Sequence, residues 1–164
     1  MERRLILMRH AESAWKTLGG SDHDRPLTPQ GSSDAPKVAT HLVALGWRPE
    51  AVLSSDALRT RETWAQMSQA IPKAPEPLFA PALYLAGLED IWSEAHSVNP
   101  SVETLLVLGH NPGWERAVFT LSGLDKVMTP ATAMLLIGSG DDWPSALRGK
   151  WSLSEVIRPP DTED

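Results

Sequence analysis

The 164-residue chain contains no cysteine, which excludes disulfides and thiolate metal sites and fits a reducing compartment. It lacks any apolar run approaching the ~18 residues that a membrane-spanning helix needs. Two arginines stand near the start, but only four apolar residues, Leu5 to Met8, follow them. That run is too short for the hydrophobic region of a secretory leader, so we expect a cytoplasmic protein. An excess of positive charge is missing as well. With 15 Lys and Arg against 21 Asp and Glu, the net charge is −6. A general nucleic-acid binder would carry a basic footprint instead. A small anionic substrate stays compatible, because a few arginines focused in one cleft decide the local field. Internal repeats and low-complexity tracts are absent.

What is present points to one globular unit. At 41% hydrophobic, the chain can bury one sizeable core. We expect a single domain over residues 1–158 and a frayed tail over 159–164. Short apolar runs at 5–8, 51–53, 105–108 and 133–137 do not alternate, as suits strands buried on both faces of a mostly parallel sheet. Helical signals fill the gaps. Thr28 and Pro29 read as an N-cap and first helical position, with Gly46 as the stop and Pro36 predicting a kink or a late start. Ser55 reads as the cap of a helix through Arg59, Thr63 and Met67. Leu88, Ile91, Trp92 and Ala95 share one helical face. Asn111 and Pro112 start a helix that Gly123 ends. The stretch "GSGDDWPSALRGK" reads as a polar loop, and "WSLSEVIRP" alternates like an edge strand. The resulting architecture is an α/β three-layer sandwich with helices on both faces of the sheet.

The chemistry gathers on one rim. Ligands of open α/β sheets bind beyond the carboxyl ends of the parallel strands. Arg9 and His10 end the first apolar run, and His110 ends the third. If Ser55 caps its helix, Arg59 lies in the first turn and leans back toward the same rim. His110 directly precedes another helix start, where free N–H groups favour anions. Two histidines, two arginines and two helix starts make a phosphate pocket. A metal would need further carboxylate or imidazole ligands, and although Glu12 is near, two guanidiniums repel a divalent cation. His23, His41 and His96 have no partner spacing, and Arg61 reads as a surface cation. No metal or other cofactor is expected.

Four motifs in this order, "LMRHAES", "RPLTPQG", "LSSDALRTRET" and "VLGHNPG", resemble the histidine phosphatase superfamily. Length and motif order are most similar to the SixA-type phosphohistidine phosphatases, over about residues 4–115. The resemblance implies a phosphoglycerate-mutase-like sheet, His10 as nucleophile and no metal. It places Arg9, Arg59 and His110 around the phosphate, with Arg25 either a fifth contact or a loop salt bridge. Glu12 and Thr63 are expected to support the site rather than react. Arg9 and Arg59 are expected to lower the pKa of His10 by like-charge repulsion. The loop 11–27 is long for an α/β unit, and Trp15, His23 and Arg25 on it could meet the phosphate carrier, with Gly19 and Gly20 letting it move.

Two departures stand out. The family usually has glycine after the nucleophile, whereas here Ala11 follows His10. A positive φ there would cost about 1 kcal/mol. The segment between Trp64 and Leu105 is too short for the acid-bearing insertion that caps members acting on small esters, and Glu89 within it reads as solvated. The general acid is unassigned. The expected activity is therefore hydrolysis of phosphohistidine in proteins by a monomer with no nucleic-acid or membrane partner. The alternatives are a broad phosphomonoesterase of small phosphate esters and a phosphate-binding module without turnover.

Overall fold

In a computed structural model, which describes residues 1–15 and 19–159, the first strand explains the unalternating runs. Along β1 (Glu2–Arg9), Leu5 and Leu7 enter one core and Ile6 and Met8 the other, so both faces are dry. The same division holds in β2 (Ala51–Ser55) for Leu53 against Val52, and in β4 (Thr104–Gly109) for Val107 against Leu106. With β3 (Pro77–Ala80), β5 (Ala133–Ser139) and β6 (Ser152–Ile157) the sheet has six strands in the order β3-β2-β4-β1-β5-β6. Strands β3, β2, β4 and β1 pair in parallel, and β5 runs antiparallel to both β1 and β6.

Helices α1 (Pro29–Ala44) and α2 (Leu58–Ser68) cover one face through Val38, Leu42, Trp64 and Met67. The other face carries α3 (Leu88–Glu94), α4 (Gly113–Ser122) and the short α5 (Trp143–Ala146), anchored by Ile91, Trp114 and Trp143. This is the expected mostly parallel α/β sandwich. It also brings the carboxyl ends of four parallel strands together, so that the residues following them share one edge.

Several local expectations need correction. The segment read as a polar loop contains α5, whose Trp143 is fully buried, because Asp142 caps it by accepting from the Ser145 N–H. Pro36 neither delays nor ends α1, which runs from Pro29, with the Thr28 hydroxyl accepting from the Gly31 N–H. The cap residue of α2 is Ala57 rather than Ser55, and α4 begins at Gly113, one residue past Pro112. Strand β3 is additional: four residues opening on a proline at the sheet edge give too little periodicity to be read. The expected tail and the 16–18 part of the first loop lie largely outside the described residues.

Candidate active site

His10, the expected nucleophile, is placed by the sheet. Arg9 ends β1 opposite Gly109, so His10 and His110 leave adjacent strands side by side. The His10 N–H donates to the Gly109 carbonyl at 3.0 Å, and the two imidazole centroids are 5.3 Å apart. His10 Nδ1 lies 2.7 Å from the Ala11 carbonyl, which can only accept. Nδ1 therefore carries the proton and Nε2 keeps its lone pair.

Burial holds His10 neutral. Its pKa is pushed down to about 4, first by loss of solvent and only then by Arg59, Arg9 and Arg25. Like-charge repulsion, expected as the cause, is thus secondary. His110 falls to about 3, again by burial first, then by His10 and Arg59. The unfolded chain takes up protons on both imidazoles below about pH 6.5, whereas the folded chain resists until about 4 and 3. Stability is therefore complete above the unfolded value and falls as the pH is lowered through this window. The His10 shift alone corresponds to about 3 kcal/mol. Urea unfolding at pH 7 and pH 4.5 should show the loss, and His10→Gln should reduce the difference between the two.

His110 is oriented by Ser55, which ends β2. The Ser55 hydroxyl lies 2.8 Å from His110 Nε2 and accepts the Ala57 N–H at 3.2 Å. When Ser55 donates its proton to Nε2, neutral His110 carries its own proton on Nδ1. That Nδ1 is buried with no hydrogen-bond partner among the described residues. The same is true of Arg9 Nε and Arg59 Nε. Three buried donors around one imidazole are costly unless an acceptor meets them, and phosphoryl oxygens are such acceptors.

The guanidiniums are held by their remaining nitrogens. Arg9 Nη1 donates to the Met128 carbonyl at 3.0 Å. Arg59, 4% exposed in the first turn of α2, donates from Nη1 to the Asp22 carbonyl at 2.7 Å and from Nη2 to Asp22 Oδ2 at 3.2 Å. Arg25 braces the loop, donating to Asp22 Oδ1 at 2.9 Å, the Ala14 carbonyl at 2.7 Å and Ser13 Oγ at 3.3 Å. In this structure its contacts are those of the loop salt bridge. Thr63 accepts the Ala11 N–H and donates to the Arg59 carbonyl, so it ties the loop after His10 to the helix. Glu12 accepts from the Thr28 hydroxyl at 2.8 Å. Gly31 is needed here, since a Cβ would stand 2.1 Å from the Glu12 carbonyl oxygen. Ala11 is buried and is not among the residues with positive φ, so replacing the usual glycine costs no backbone strain.

Two participants escaped the sequence reading. Asp22 lies between Arg59 and Arg25, and its pKa is pulled down to about 2, first by the hydrogen bond from Tyr84 and then by the two arginines. Tyr84, which follows β3, gives its hydroxyl proton to Asp22 and sets its ring edge-on to His110 at 5.4 Å. Asp22 had a signal in its i,i+3 spacing to Arg25. Tyr84 reaches across 62 residues and had none. His23 pairs with Asp56 at 2.9 Å and fixes the turn that presents Asp22. Trp15 is 87% exposed, His96 bonds only to backbone of its own helix end, and Arg61 lies on the surface over Phe79.

The family model of the histidine phosphatase superfamily, branch 1, matches residues 5–80. An uncharacterised chloroplastic protein of Arabidopsis thaliana is 40% identical over 172 residues, covering 97% of this chain and 79% of that protein. The chain belongs to the histidine phosphatase superfamily. An uncharacterised protein of Mycobacterium tuberculosis is 37% identical over 117 residues, 71% of each chain. Among solved structures, the proposed phosphohistidine phosphatase SixA of Agrobacterium tumefaciens superposes with a TM-score of 0.78 at 25% identity, covering 96% of this chain and 98% of that one. The protein histidine phosphatase SixA bound to tungstate shares the fold, with a TM-score of 0.83 at 20% identity and coverage of 98% and 99%. As one relative of this chain is chloroplastic, family membership does not fix a cytoplasmic address. No helix among the described residues is long and apolar enough to cross a membrane.

Proposed function

We propose that the chain is a metal-independent phosphatase that hydrolyses phosphohistidine in proteins. The observation that carries the reading is the group of unpartnered buried donors, Arg9 Nε, Arg59 Nε and His110 Nδ1, beside a neutral His10 with a free Nε2. Nε2 attacks phosphorus, the P–N bond to the substrate imidazole breaks, and that ring, already protonated on its other nitrogen, leaves as neutral imidazole without needing a further proton. Arg9, Arg59 and the His110 N–H stabilise the charge on the equatorial oxygens. Water then hydrolyses phospho-His10, releasing inorganic phosphate and restoring the imidazole. Arg25 reaches the phosphate only if it gives up its loop contacts.

The substrate class follows from the acids at hand. Asp22 is held as a carboxylate, Glu12 is engaged by Thr28, and Glu89 pairs with Arg148 on the surface. Neither Asp22 nor Glu89, each held below the ordinary carboxylate range by its partners, offers a proton at neutral pH. An alkoxide leaves poorly without one. An imidazole, whose conjugate acid has a pKa of ~6.5, leaves with far less help. The likeness to SixA structures supports the same choice. The test is kcat/KM on a phosphohistidine peptide beside phosphoserine peptide and a sugar phosphate. We expect the first to exceed the others by about 100-fold, or ~2.7 kcal/mol. Equal turnover of the sugar phosphate would make the protein a small-molecule phosphomonoesterase, and tight phosphate binding without turnover would make it a binding module.

A further inference from the structure

We propose that a hollow beside His110 is a subsite for a carboxylate carried on the phosphorylated substrate itself, with Arg116 as its partner. This rests on the phosphatase reading above. The hollow has a volume of about 250 Å³ and lies between Leu85, Ala86 and Gly87 on one side and His110, Pro112 and Arg116 on the other. Because His110 lines the hollow and also borders the phosphoryl position, one substrate molecule can reach both that position and the hollow. Its volume is below that of pockets for drug-sized ligands, and it suits one side chain.

Charge decides what that side chain is. Among the described residues no Asp or Glu lines the hollow, and Arg116 is its single formal charge. Arg9, Arg25 and Arg59 are all engaged by protein oxygens. Arg116 is exposed, and its guanidinium makes no hydrogen bond or ion pair with any described residue. Its neighbour Glu115 is already committed, accepting from Asn111 Nδ2 at 3.2 Å and the Met128 N–H at 2.7 Å. Asp125 lines a separate hollow on the other side of Arg116 and makes no ion pair with it. An unpaired guanidinium beside the active site of a chain with net charge −6 stands against the overall field. Its fork matches one carboxylate by two parallel hydrogen bonds.

The wall is rigid enough to select. The Arg116 N–H donates to the Pro112 carbonyl in the first turn of α4, so its stem is on a fixed helix. Gly113 packs so closely that a Cβ would stand 1.7 Å from the Ala86 carbonyl oxygen, which locks the two sides of the hollow together. Leu85, 81% exposed, offers an apolar lip for the methylenes of an acidic side chain.

The test uses the full chain and two substrate pairs. One pair is a phosphohistidine peptide with glutamate flanking the phosphorylated residue and the same peptide with glutamine there. The other is phenyl phosphate and a carboxyphenyl phosphate. Wild type should favour the acidic member by about tenfold in kcat/KM, mainly through KM. Arg116→Gln should bring that ratio to about one, and Arg116→Glu should invert it. Discrimination among peptides places the carboxylate on a protein, and discrimination among aryl esters alone places it on a small acid; both support the subsite. A wild-type ratio near one in both pairs, or an equal loss on both members in Arg116→Gln, overturns it. If phosphohistidine is not preferred to phosphoserine but the Arg116-dependent ratio persists, the substrate reading fails and the subsite stands.

Discussion

Replacing His10 by alanine is expected to lower kcat by a factor of about 1,000 or more, because the covalent route has no second nucleophile. His10 Nε2 is the free lone pair beside the unpartnered donors, and the imidazole is held neutral by burial. The same substitution should leave the fold intact. His10 follows β1 rather than forming part of it, and its side chain makes one hydrogen bond, to the adjacent carbonyl. A change in unfolding free energy of about 1 kcal/mol is expected at pH 7. Steady-state kinetics and urea unfolding on the same preparation separate the two effects. A variant that keeps a tenth of wild-type kcat would remove His10 from the chemistry.

The second large effect is expected at Arg59, where lysine keeps the charge and should still fail. The guanidinium uses Nη1 and Nη2 on Asp22 and keeps Nε free toward the site. Lysine is a point charge on a flexible stem, so it cannot serve Asp22 and a phosphoryl oxygen in the same fixed plane. It also leaves Asp22 with one cation fewer. A loss of about 100-fold in kcat/KM follows, or ~2.7 kcal/mol of transition-state stabilisation. The fall should appear in kcat as well as KM, since charge on the equatorial oxygens is greatest during transfer. Near-normal kinetics in Arg59→Lys would mean that Arg59 only holds the loop carrying Asp22.

Much of this site could be read from residue order because the fold converts chain position into space. An apolar run ending in Arg9–His10 and another ending in Gly109–His110 become adjacent parallel strands, so the two imidazoles meet with no further information. Arg59 was legible for a similar reason, being in the first turn of the helix after β2. Ser55 illustrates where such reading stops. A serine before a helix suggests a cap, and its hydroxyl does accept the Ala57 N–H, but its other hydrogen bond orients His110 55 residues away. Tyr84 and Asp22 meet through loops, where no periodicity marks the partner. Trp143 was hidden by the polar residues around it, although Asp142 and Ser145 are the cap signals of its short helix. The balance of causes behind the His10 shift was also out of reach, because burial is a property of the packed rim and not of the motif.

The account turns on phosphate passing through His10. The most direct measurement is rapid acid-free quenching of the full chain during turnover of a labelled phosphohistidine peptide, followed by mapping of the label. The account predicts one phosphoryl group per chain on His10, stable in alkali, labile in acid, and absent from His10→Ala. Label on any other residue, or full turnover with no covalent phosphate formed, would contradict it.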